Sequence, residues 1–591
     1  MGALDGIKVL DFGQFVAGPL TGMLLADQGA DVVKIDPPEG PCWDTPANST
    51  WNRGKRSIVL DLKDLSDVER AQALIASADV LLENFRPGVM DRLGLGAEAA
   101  ASANPRLVYC SIPGFASDDP RAAIPAWEGI VAAATTNFRG PLFGAGNGLP
   151  IYTAIPIASS FAAFESAVSI AMALGVRERD GVGQRIEVLM FDAMFAAFSR
   201  QRIHNADPPP PALGSTWSGQ FECKDGRWVM FGSANSNFRE FVEAAGIASW
   251  DEEGLIDWER LARDPGLAAE QRRRTVELFK TRTAQQWEDD IAIAGSECAV
   301  CRASAEWLDH THARESKMVI EVQDPKFGKM LQPGVNPRLS GTPGEVRGPA
   351  PALDQHRDEV LSEANGGSQP APVENIDDTL RSALDGVRVL DLCIILAGPT
   401  CGRTLAEFGA DVIKIDDPNR GPTIASHNTV NRGKRSILLD LKKEEGRDVF
   451  WRLLEDADVV VQNNRKGRIE ALGLGYDEVR KRKSDIVYAS LNAYGHIGPW
   501  AERPGHEQFA QATTGMQARF GGDGQPQLQP HPINDFSTGL LGAYGVALAL
   551  LHRKRTGEGQ HVDGALAYTA MTLQSAIVQD YDGKTWDEPR G

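Results

Sequence analysis

Both halves of the chain begin with the same order of apolar and polar segments. An apolar run rich in β-forming residues (IKVLDF, VRVLDL) is followed by a helix-like segment after Ala-Gly-Pro, and then by a second apolar run (ADVVKID, ADVIKID). A strand, a helix and a strand in this order predict a βαβ unit, whose strands lie parallel in one sheet. We therefore expect an α/β protein with parallel-sheet large domains in two tandem copies.

The second half repeats the first over most of its length. LDGIKVLDFGQFVAGP returns as LDGVRVLDLCIILAGP, and GVGQ, ending at Gln184, returns as GEGQ, ending at Gln560. Counted back from these two glutamines, Asp535 of the second copy corresponds to Ser159 of the first. Because only one copy carries this carboxylate, we expect one working site per chain.

Length and composition divide the chain further. Its 591 residues exceed what one hydrophobic core usually serves. The Gly/Pro/Ser-rich stretch ANGGSQPAPVENIDD predicts a flexible tether. We assign a first large domain to 1–200, a small domain to 201–330, a segment returning to the large domain to 331–363, a linker to 364–382 and a second, truncated large domain to 383–591.

Charge and cysteine content narrow the function. The net charge of −19 argues against a nucleic-acid-binding surface, so an anionic ligand needs a local basic pocket. The opening MGALDGIKVLDF lacks the pattern of a signal peptide, and no run of about 18 apolar residues predicts a membrane span. The seven scattered cysteines do not form a disulfide framework, so we expect a cytoplasmic protein.

Cys298 and Cys301 form the one CxxC motif of the sequence. Neither a second pair nor a histidine couple at zinc spacing accompanies it. The motif therefore predicts two packed thiols, and we expect no metal site.

Two features of each copy suit a phosphate-bearing ligand. In the second copy the turn from Ala397 to Pro399 places small residues at a helix start, where backbone N–H groups can face an anion. The basic motif NRGKRS follows, with Arg432 and Lys434 in the second copy. Each feature also has a structural interpretation, as close helix packing or as a solvated loop. No GxGxxG follows the first strand, so a nicotinamide dinucleotide is not the expected ligand.

Taken in order, the motifs VLDxxxxxAGP, LAxxGADVxKI, NRGKRSIxLDLK, ADVxxxN, LGLG and an aspartate ahead of GxGQ resemble the family III CoA-transferases. Their relatives include the α-methylacyl-CoA racemases. The first copy resembles a complete subunit, and the second resembles only the Rossmann-like large domain with its catalytic segment. The resemblance implies an inserted smaller α/β domain and interlocked subunits with active sites between partners. We therefore expect an intramolecular pseudo-dimer, with further homo-oligomerisation left open.

The resemblance also assigns the chemistry. In the family the aspartate ahead of GxGQ attacks an acyl-CoA thioester, and Asp535 is the matching residue. A carboxylate can hold the acyl group as an anhydride, whereas Ser159 cannot, so the first copy is expected to be inactive. Glu507 matches a supporting position, and Trp127 stands where the second copy has His506. The implied partners are an acyl-CoA and a small carboxylic acid, with the CoA thioester as substrate and no separate cofactor.

The CoA contacts carried over by resemblance lie in the second copy. They are Leu396, Ala397, Arg432, Lys434, Lys442, Asn463 and Arg465. The second copy departs from the pattern here, because QNNRKG replaces the ENFRPG of the first copy. In the family a glycine-rich loop of the small domain covers the aspartate, which points to Gly214 and Gly219 closing over Asp535 from the first copy.

Two other functions stay open. The GHE motif at His506 is similar to the GHD motif of the racemases, and a His506/Asp535 pair can move the α-proton of an acyl-CoA. A non-catalytic acyl-CoA-binding protein, or a fragment of a longer tandem protein, is the other alternative, because the second copy ends soon after its catalytic segment. The donor and acceptor acids are not identified by the sequence.

Overall fold

The apolar runs of the first half form a parallel sheet. The computed structural model describes residues 2–135, 155–198, 217–232, 238–366, 381–420, 427–529 and 531–586. The strands are β1 (Lys8–Asp11), β2 (Asp31–Asp36), β3 (Arg56–Val59), β4 (Val80–Glu83), β5 (Val108–Ser111) and β6 (Arg185–Glu187), in the spatial order β3-β2-β1-β4-β5-β6. The helices are α1 (Ala17–Asp27), α2 (Ala47–Trp51), α3 (Leu65–Ser77), α4 (Val89–Arg92), α5 (Ala97–Ala103), α6 (Glu128–Ala134), α7 (Ile157–Asp180) and α8 (Met190–Phe198).

The small domain has an antiparallel sheet with helices around an aromatic core. Its strands are β7 (Gly219–Glu222), β8 (Trp228–Phe231) and β9 (Cys298–Val300), in that spatial order. Its helices are α9 (Phe238–Ala245), a short 3-10 turn (Ala248–Asp251), α10 (Trp258–Arg263), α11 (Pro265–Phe279), α12 (Ala284–Ile293), α13 (Ser304–Leu308) and α14 (Thr311–Glu315). Trp217, Phe221 and Trp287 are buried in the core of this domain.

The segment after the small domain comprises β10 (Val319–Asp324), β11 (Gly328–Pro333), β12 (Arg338–Leu339) and α15 (Arg357–Gly366). The sequence predicts that 331–363 returns to the large domain, and parts of this segment lie against the first large domain. The N–H of Glu345 donates to the carbonyl of Asp27 at 2.9 Å, and α15 packs on β3 and α3. β12, in contrast, joins the sheet of the second half. The linker assigned to 364–382 lies largely outside the described residues.

The second half repeats the parallel sheet. Its strands are β13 (Arg388–Asp391), β14 (Asp411–Asp416), β15 (Arg435–Leu438), β16 (Val459–Gln462), β17 (Val487–Asn492), β18 (His561–Ala565) and β19 (Asp580–Tyr581). The helices are α16 (Ala397–Glu407), α17 (His427–Val430), α18 (Glu444–Glu455), α19 (Arg468–Ala471), α20 (Tyr476–Arg482), α21 (Glu507–Thr513), α22 (Met516–Gly521), α23 (Ile533–Thr556) and α24 (Leu566–Leu573). The sheet order is β12-β18-β17-β16-β13-β14-β15.

The two halves interlock. β12 of the first half pairs antiparallel with β18, and β11 of the first half pairs antiparallel with β19. One hydrophobic core contains α7 and α23, which pack against each other with α1 and α16 beside them. The hydroxyl of Tyr544 on α23 donates to the carbonyl of Leu24 on α1 at 3.1 Å. The predicted intramolecular pseudo-dimer is therefore present within one chain.

Among the described residues, α7 is long and apolar enough to cross a membrane by length and composition. However, 89% of its most apolar window is buried inside the protein. This burial is that of a core helix.

Candidate active site

The catalytic candidate lies at the start of α23. Both α23 and its first-half counterpart α7 contain 24 residues, and each begins directly after a proline, Pro532 or Pro156. Asp535 and Ser159 are each the third residue of their helix. The structure thus confirms that the two residues occupy equivalent places.

Glu507 caps α23, the helix that carries Asp535. Its Oε2 accepts the backbone N–H of Asp535 at 2.7 Å, and its Oε1 accepts that of Asn534 at 3.2 Å. The first N–H groups of a helix have no partner within the helix, and its dipole favours a negative charge there, so a carboxylate is stabilising at this end. Glu507 therefore fixes where α23 begins and where Asp535 points.

The first half keeps the same cap without the aspartate. Glu128 accepts the N–H of Ala158 and of Ser159, each at 2.9 Å, and the hydroxyl of Ser159 at 2.8 Å. Trp127, at the N-cap of α6, is 60% exposed and stands where His506 lies at the N-cap of α21. The glutamate cap is thus a property of the fold, while the aspartate and the histidine belong to one half only.

Asp535 is buried between two helix starts. The backbone N–H of Ala397, in the first turn of α16, donates to its carboxylate. Burial raises the pKa of Asp535, while the charge of His506 and the N–H of Ala397 oppose that rise. Burial and the negative charge of Asp535 raise the pKa of Glu507. Two carboxylates thus share a site from which water is largely excluded.

His506 contacts a second carboxylate, which belongs to the first half of the chain. Its Nδ1 lies 2.9 Å from Oε1 of Glu297, a residue of the small domain that is 3% exposed. Burial disfavours the imidazolium, but the carboxylates of Glu297 and Asp535 outweigh it and raise the pKa of His506.

The small domain docks directly on α21. The N–H of Arg302 donates to the carbonyl of Ala512 at 3.0 Å, and Nε2 of Gln220 donates to Oε1 of Gln517 at 3.0 Å. An apolar cluster lies between the two units and consists of Met230, Ala299, Cys301, Phe509 and Ala512. The first half thus supplies one wall of the site in the second half.

The turn before α16 is strained and braced. Ile395 has a φ of 66°, a left-handed conformation that a β-branched residue rarely adopts. The side-chain amide of Asn463 holds the preceding residue, since its Oδ1 accepts the N–H of Ile394 at 2.8 Å and its Nδ2 donates to the carbonyl of Ile394 at 2.6 Å. Leu396 is the N-cap residue of α16, and Ala397 follows it. Asn463 therefore shapes the predicted CoA-binding turn through its backbone.

The lysine of the basic motif has a structural partner. Nζ of Lys434 lies 2.7 Å from Oδ2 of Asp391, with both side chains almost fully buried. Lys55 and Asp11 form the same buried pair in the first half at 2.8 Å. The prediction that Lys434 holds a phosphate is therefore not supported by its placement, because the ammonium is enclosed in an ion pair that joins the motif to the first strand.

The remaining basic candidates differ in exposure. The guanidinium of Arg432 is exposed and pairs with Glu407 at 2.5 Å, and the side chain of Lys442 is 72% exposed. Arg465 is half-buried, and its charge interacts with that of Glu297 beside the reaction centre. Arg465 is thus a basic candidate whose charge acts on Glu297, the carboxylate that contacts His506.

Of the two glycines predicted to form the lid, one lies within the described residues. Gly214 lies outside the described residues. Gly219 opens β7 and pairs with Phe231, so the structure has a strand here where the sequence predicts a mobile loop. Its φ of 143° is one that residues other than glycine rarely adopt. Cys298 and Cys301 are buried at β9, and burial raises the pKa of both thiols.

Three residues near Asp535 and His506 are not predicted by the sequence motifs. Glu297 is far from the catalytic segment along the chain, and Gln511 donates to Oε1 of Glu507 at 2.8 Å. The charge of Arg420 lies close enough to His506 to oppose the rise of its pKa. The comparison of the two halves signals Gln511, since alanine (Ala132) replaces it in the first half.

The fold and the asymmetric site define a tandem acyl-CoA enzyme of known class. Residues 4–357 and 384–591 match the model of CoA-transferase family III, and the chain belongs to this family. It is 30% identical to the CoA-transferase/lyase DddD of Marinomonas sp. (strain MWYL1), over 98% of this chain and 77% of that protein. It is also 36% identical to the succinate–glutarate CoA-transferase of Agrobacterium fabrum, over 33% of this chain and 52% of that protein. The crystal structure of Rv3272 from M. tuberculosis is similar with a TM-score of 0.54 and 25% identity, and covers 61% of this chain and 98% of its own.

Proposed function

We propose that the protein transfers CoA from an acyl-CoA to a free carboxylic acid through Asp535. The observation that carries this proposal is the placement of a buried carboxylate between the starts of α16 and α23, with serine at the same place in the other half. A carboxylate is the nucleophile that can accept an acyl group as an anhydride and pass its energy on without hydrolysis.

The proposed transfer takes four steps. The Asp535 carboxylate attacks the thioester carbonyl, forming an acyl-aspartyl anhydride and releasing CoA thiolate. The thiolate attacks the aspartyl carbonyl, which gives an aspartyl-CoA thioester and frees the donor acid. The acceptor carboxylate then attacks this thioester, and the released thiolate attacks the acceptor carbonyl of the new anhydride. The products are the acceptor CoA ester and the regenerated Asp535 carboxylate.

The surroundings of Asp535 support its role in the ionised form. The imidazolium of His506 and the N–H of Ala397 both favour the charged carboxylate over the neutral acid. An N–H at a helix start also has the geometry to stabilise negative charge on an oxyanion, a contribution worth ~2.7–4 kcal/mol in other enzymes. Glu507 holds the helix that carries the nucleophile.

For CoA we propose the turn at Leu396 and Ala397 as the contact to the pantetheine and phosphates. Arg465 and the exposed side chains of Arg432 and Lys442 supply positive charge around it. Several relatives are named for dicarboxylic acids, such as succinate and glutarate. Short dicarboxylic acids and their CoA esters are therefore the first substrates to examine. The seven cysteines are unpaired, which suits the reducing cytoplasm as the proposed compartment.

A second function is favoured by one contact. Glu297 orients His506 through Nδ1, as a carboxylate orients a catalytic imidazole in general acid/base sites. In this alternative, His506 and Asp535 exchange a proton at the α-carbon of an acyl-CoA, as in a racemase or isomerase. It predicts exchange of that proton with solvent and no movement of CoA.

The deciding experiment follows the CoA-ester pool by mass spectrometry in heavy water. The protein is incubated with several acyl-CoA donors, including succinyl-CoA and an α-methyl acyl-CoA, and with a panel of free acids. We expect new CoA esters with wild type and none with Asp535→Asn. Ser159→Ala, at the same helix position of the first half, is the matched control and should match wild type. Deuterium gain on the donor without a new ester would support proton transfer instead, and an unchanged pool would support a binding protein.

A further inference from the structure

Gln511 joins Glu507 to the segment that leads into the catalytic helix. Its Nε2 donates to Oε1 of Glu507 at 2.8 Å, and its own Oε1 accepts the N–H of Gln529 at 2.9 Å. The residue has no exposed surface. A backbone N–H can only donate, so the contact with Gln529 fixes the orientation of the amide and directs its NH2 group to Glu507.

The first half shows that this amide is not needed to build the cap. α6 and α21 both contain seven residues and both begin with the capping glutamate. The fifth residue is Gln511 in α21 and Ala132 in α6. Glu128 nevertheless caps α7, because its carboxylate accepts the N–H groups of Ala158 and Ser159 at 2.9 Å each.

The second half differs in having a carboxylate beside the cap. There the side chain of Asn534 also donates to Oε1 of Glu507, at 2.9 Å, where the first half has Ala158. Glu507 thus accepts from two side-chain amides and two backbone N–H groups. Four donors meet the accepting capacity of an ionised carboxylate, which has about four lone-pair sites, and a protonated one accepts fewer.

We propose that Gln511 is a positioning residue for Asp535, which acts through Glu507 by favouring its ionised form, the form that best accepts the N–H of Asp535. The inference rests on the proposed function and deepens it. Without the amide, protonation of Glu507 is favoured, because it removes the repulsion between Glu507 and Asp535. A protonated Glu507 is a poorer acceptor for the N–H of Asp535, and the nucleophile loses its fixed direction.

The test variant is Gln511→Met, which keeps the volume and removes the amide. We expect kcat to fall by about 10- to 100-fold, the range for losing a hydrogen bond to a charged group. KM for the acyl-CoA should change little, because Gln511 is enclosed beneath Glu507. The acid limb of the pH profile of kcat should move to higher pH, since the ionised form of Glu507 has lost a donor.

Gln574→Met is the matched control. Gln574 is also fully buried, and it donates to the carbonyls of Thr514 and Ala570 without contacting Glu507. Its substitution should leave the acid limb at the wild-type pH. A purely structural role for Gln511 predicts that both variants lose stability alike and that neither moves the pH profile.

An infrared pH titration of the protonated carboxyl band supplies a readout that needs no turnover. The band assigned to the pair by its loss in Glu507→Gln should appear at higher pH in Gln511→Met than in wild type. Equal titrations and equal kcat in Gln511→Met and wild type would overturn the inference alone. A wild type that transfers no CoA would overturn the proposed function alone, and the infrared shift would still decide the role of Gln511.

Discussion

The carboxylate of Glu297 lies 2.9 Å from Nδ1 of His506, although the two residues belong to different halves of the chain. Glu297 directly precedes β9, and β9 packs on α21, whose N-cap is His506. Docking of the small domain therefore does more than cover the second half. It adds a second negative charge at His506 to that of Asp535, which the second half supplies.

Glu297→Gln should shift the pH dependence of the reaction. Removal of this carboxylate lowers the pKa of His506, because Glu297 is the main group that raises it. A neutral His506 no longer lowers the pKa of Asp535, so Asp535 takes up its proton at higher pH. Measured as kcat/KM against pH, the acid limb should move to higher pH, with activity lost most at low pH.

Glu306→Gln serves as the control for that variant. Glu306 lies on the same small domain and pairs with Arg227, with both side chains more than 40% exposed. Its profile should overlay that of wild type. A Glu297→Gln profile that also overlays wild type would show that the contact with His506 has no part in the reaction.

Gln560→Ala should loosen the connection between the halves. Its Oε1 accepts the N–H of Gly341 at 2.9 Å and of Thr342 at 3.0 Å, next to the pairing of β12 with β18. The buried N–H of Thr342 would lose its acceptor, at a cost of about 1–3 kcal/mol, whereas the exposed Gly341 can turn to water. The midpoint of chemical denaturation should fall accordingly.

The repeat offers a matched control for this variant. Gln184 is the equivalent residue of the first half, and it is exposed at the start of β6. Gln184→Ala should change the free energy of unfolding by less than ~0.5 kcal/mol. Equal effects at the two positions would mean that Gln560 does not anchor β12 on the second half.

Much of this site follows from comparing the chain with itself. The alignment of Ser159 with Asp535 depends on a repeat of local patterns, and helices α7 and α23 begin at the same point for the same reason, a proline and a capping glutamate. The repeat and the two prolines are local features of the sequence, so the sequence predicts where each helix begins. The parallel sheets follow in the same way from alternating strands and helices.

What the sequence does not predict is set by contacts between distant segments. Nothing local distinguishes Lys434, buried against Asp391, from a solvated lysine of a phosphate site. Likewise, β12 is two residues long, and only its neighbour β18 makes it a strand of the second sheet. Glu297 looks like any small-domain glutamate until docking places it against His506.

Glu288→Gln should destabilise the small domain. Glu288 is fully buried, and its carboxylate lies 2.6 Å from Nη2 of Arg302 while also accepting the N–H of Val300 at 2.9 Å. Removing its charge leaves the buried guanidinium uncompensated, at a cost of about 3–5 kcal/mol. Denaturation followed by tryptophan fluorescence, with Trp287 adjacent, should report the loss.

The exposed pair of Glu270 with Arg273 gives the comparison for Glu288. Both of these side chains contact water, so Glu270→Gln should lower the free energy of unfolding far less than Glu288→Gln. Because Arg302 also donates its N–H to Ala512 on α21, Glu288→Gln should lower activity together with stability. Retention of full stability in Glu288→Gln would show that the ion pair does not hold β9.

His312 should make stability fall on acidification. Its Nε2 lies 3.0 Å from the carbonyl of Tyr494 and its Nδ1 accepts the N–H of Trp500 at 3.2 Å, so the fold holds a neutral imidazole protonated on Nε2. Burial lowers the pKa of His312 to about 4, against ~6.5 in an unfolded chain. The contribution of His312 to the free energy of unfolding is fully present above pH ~6.5. It is lost as the pH falls towards 4, and the total loss is ~3 kcal/mol.

His312→Gln removes this proton-linked contribution, whereas other acid-sensitive groups remain. The unfolding free energy of the variant should therefore be lower than that of wild type at pH 7, with the difference shrinking as the pH falls from 6.5 towards 4. His552→Gln, at a partly exposed histidine of α23, should keep the wild-type slope. Because His312 contacts Tyr494 and Trp500 in the second half, the same acidification should weaken docking of the segment that carries Glu297. A difference between wild type and His312→Gln that stays constant from pH 7 to pH 4 would contradict the assignment of a neutral imidazole between the two halves.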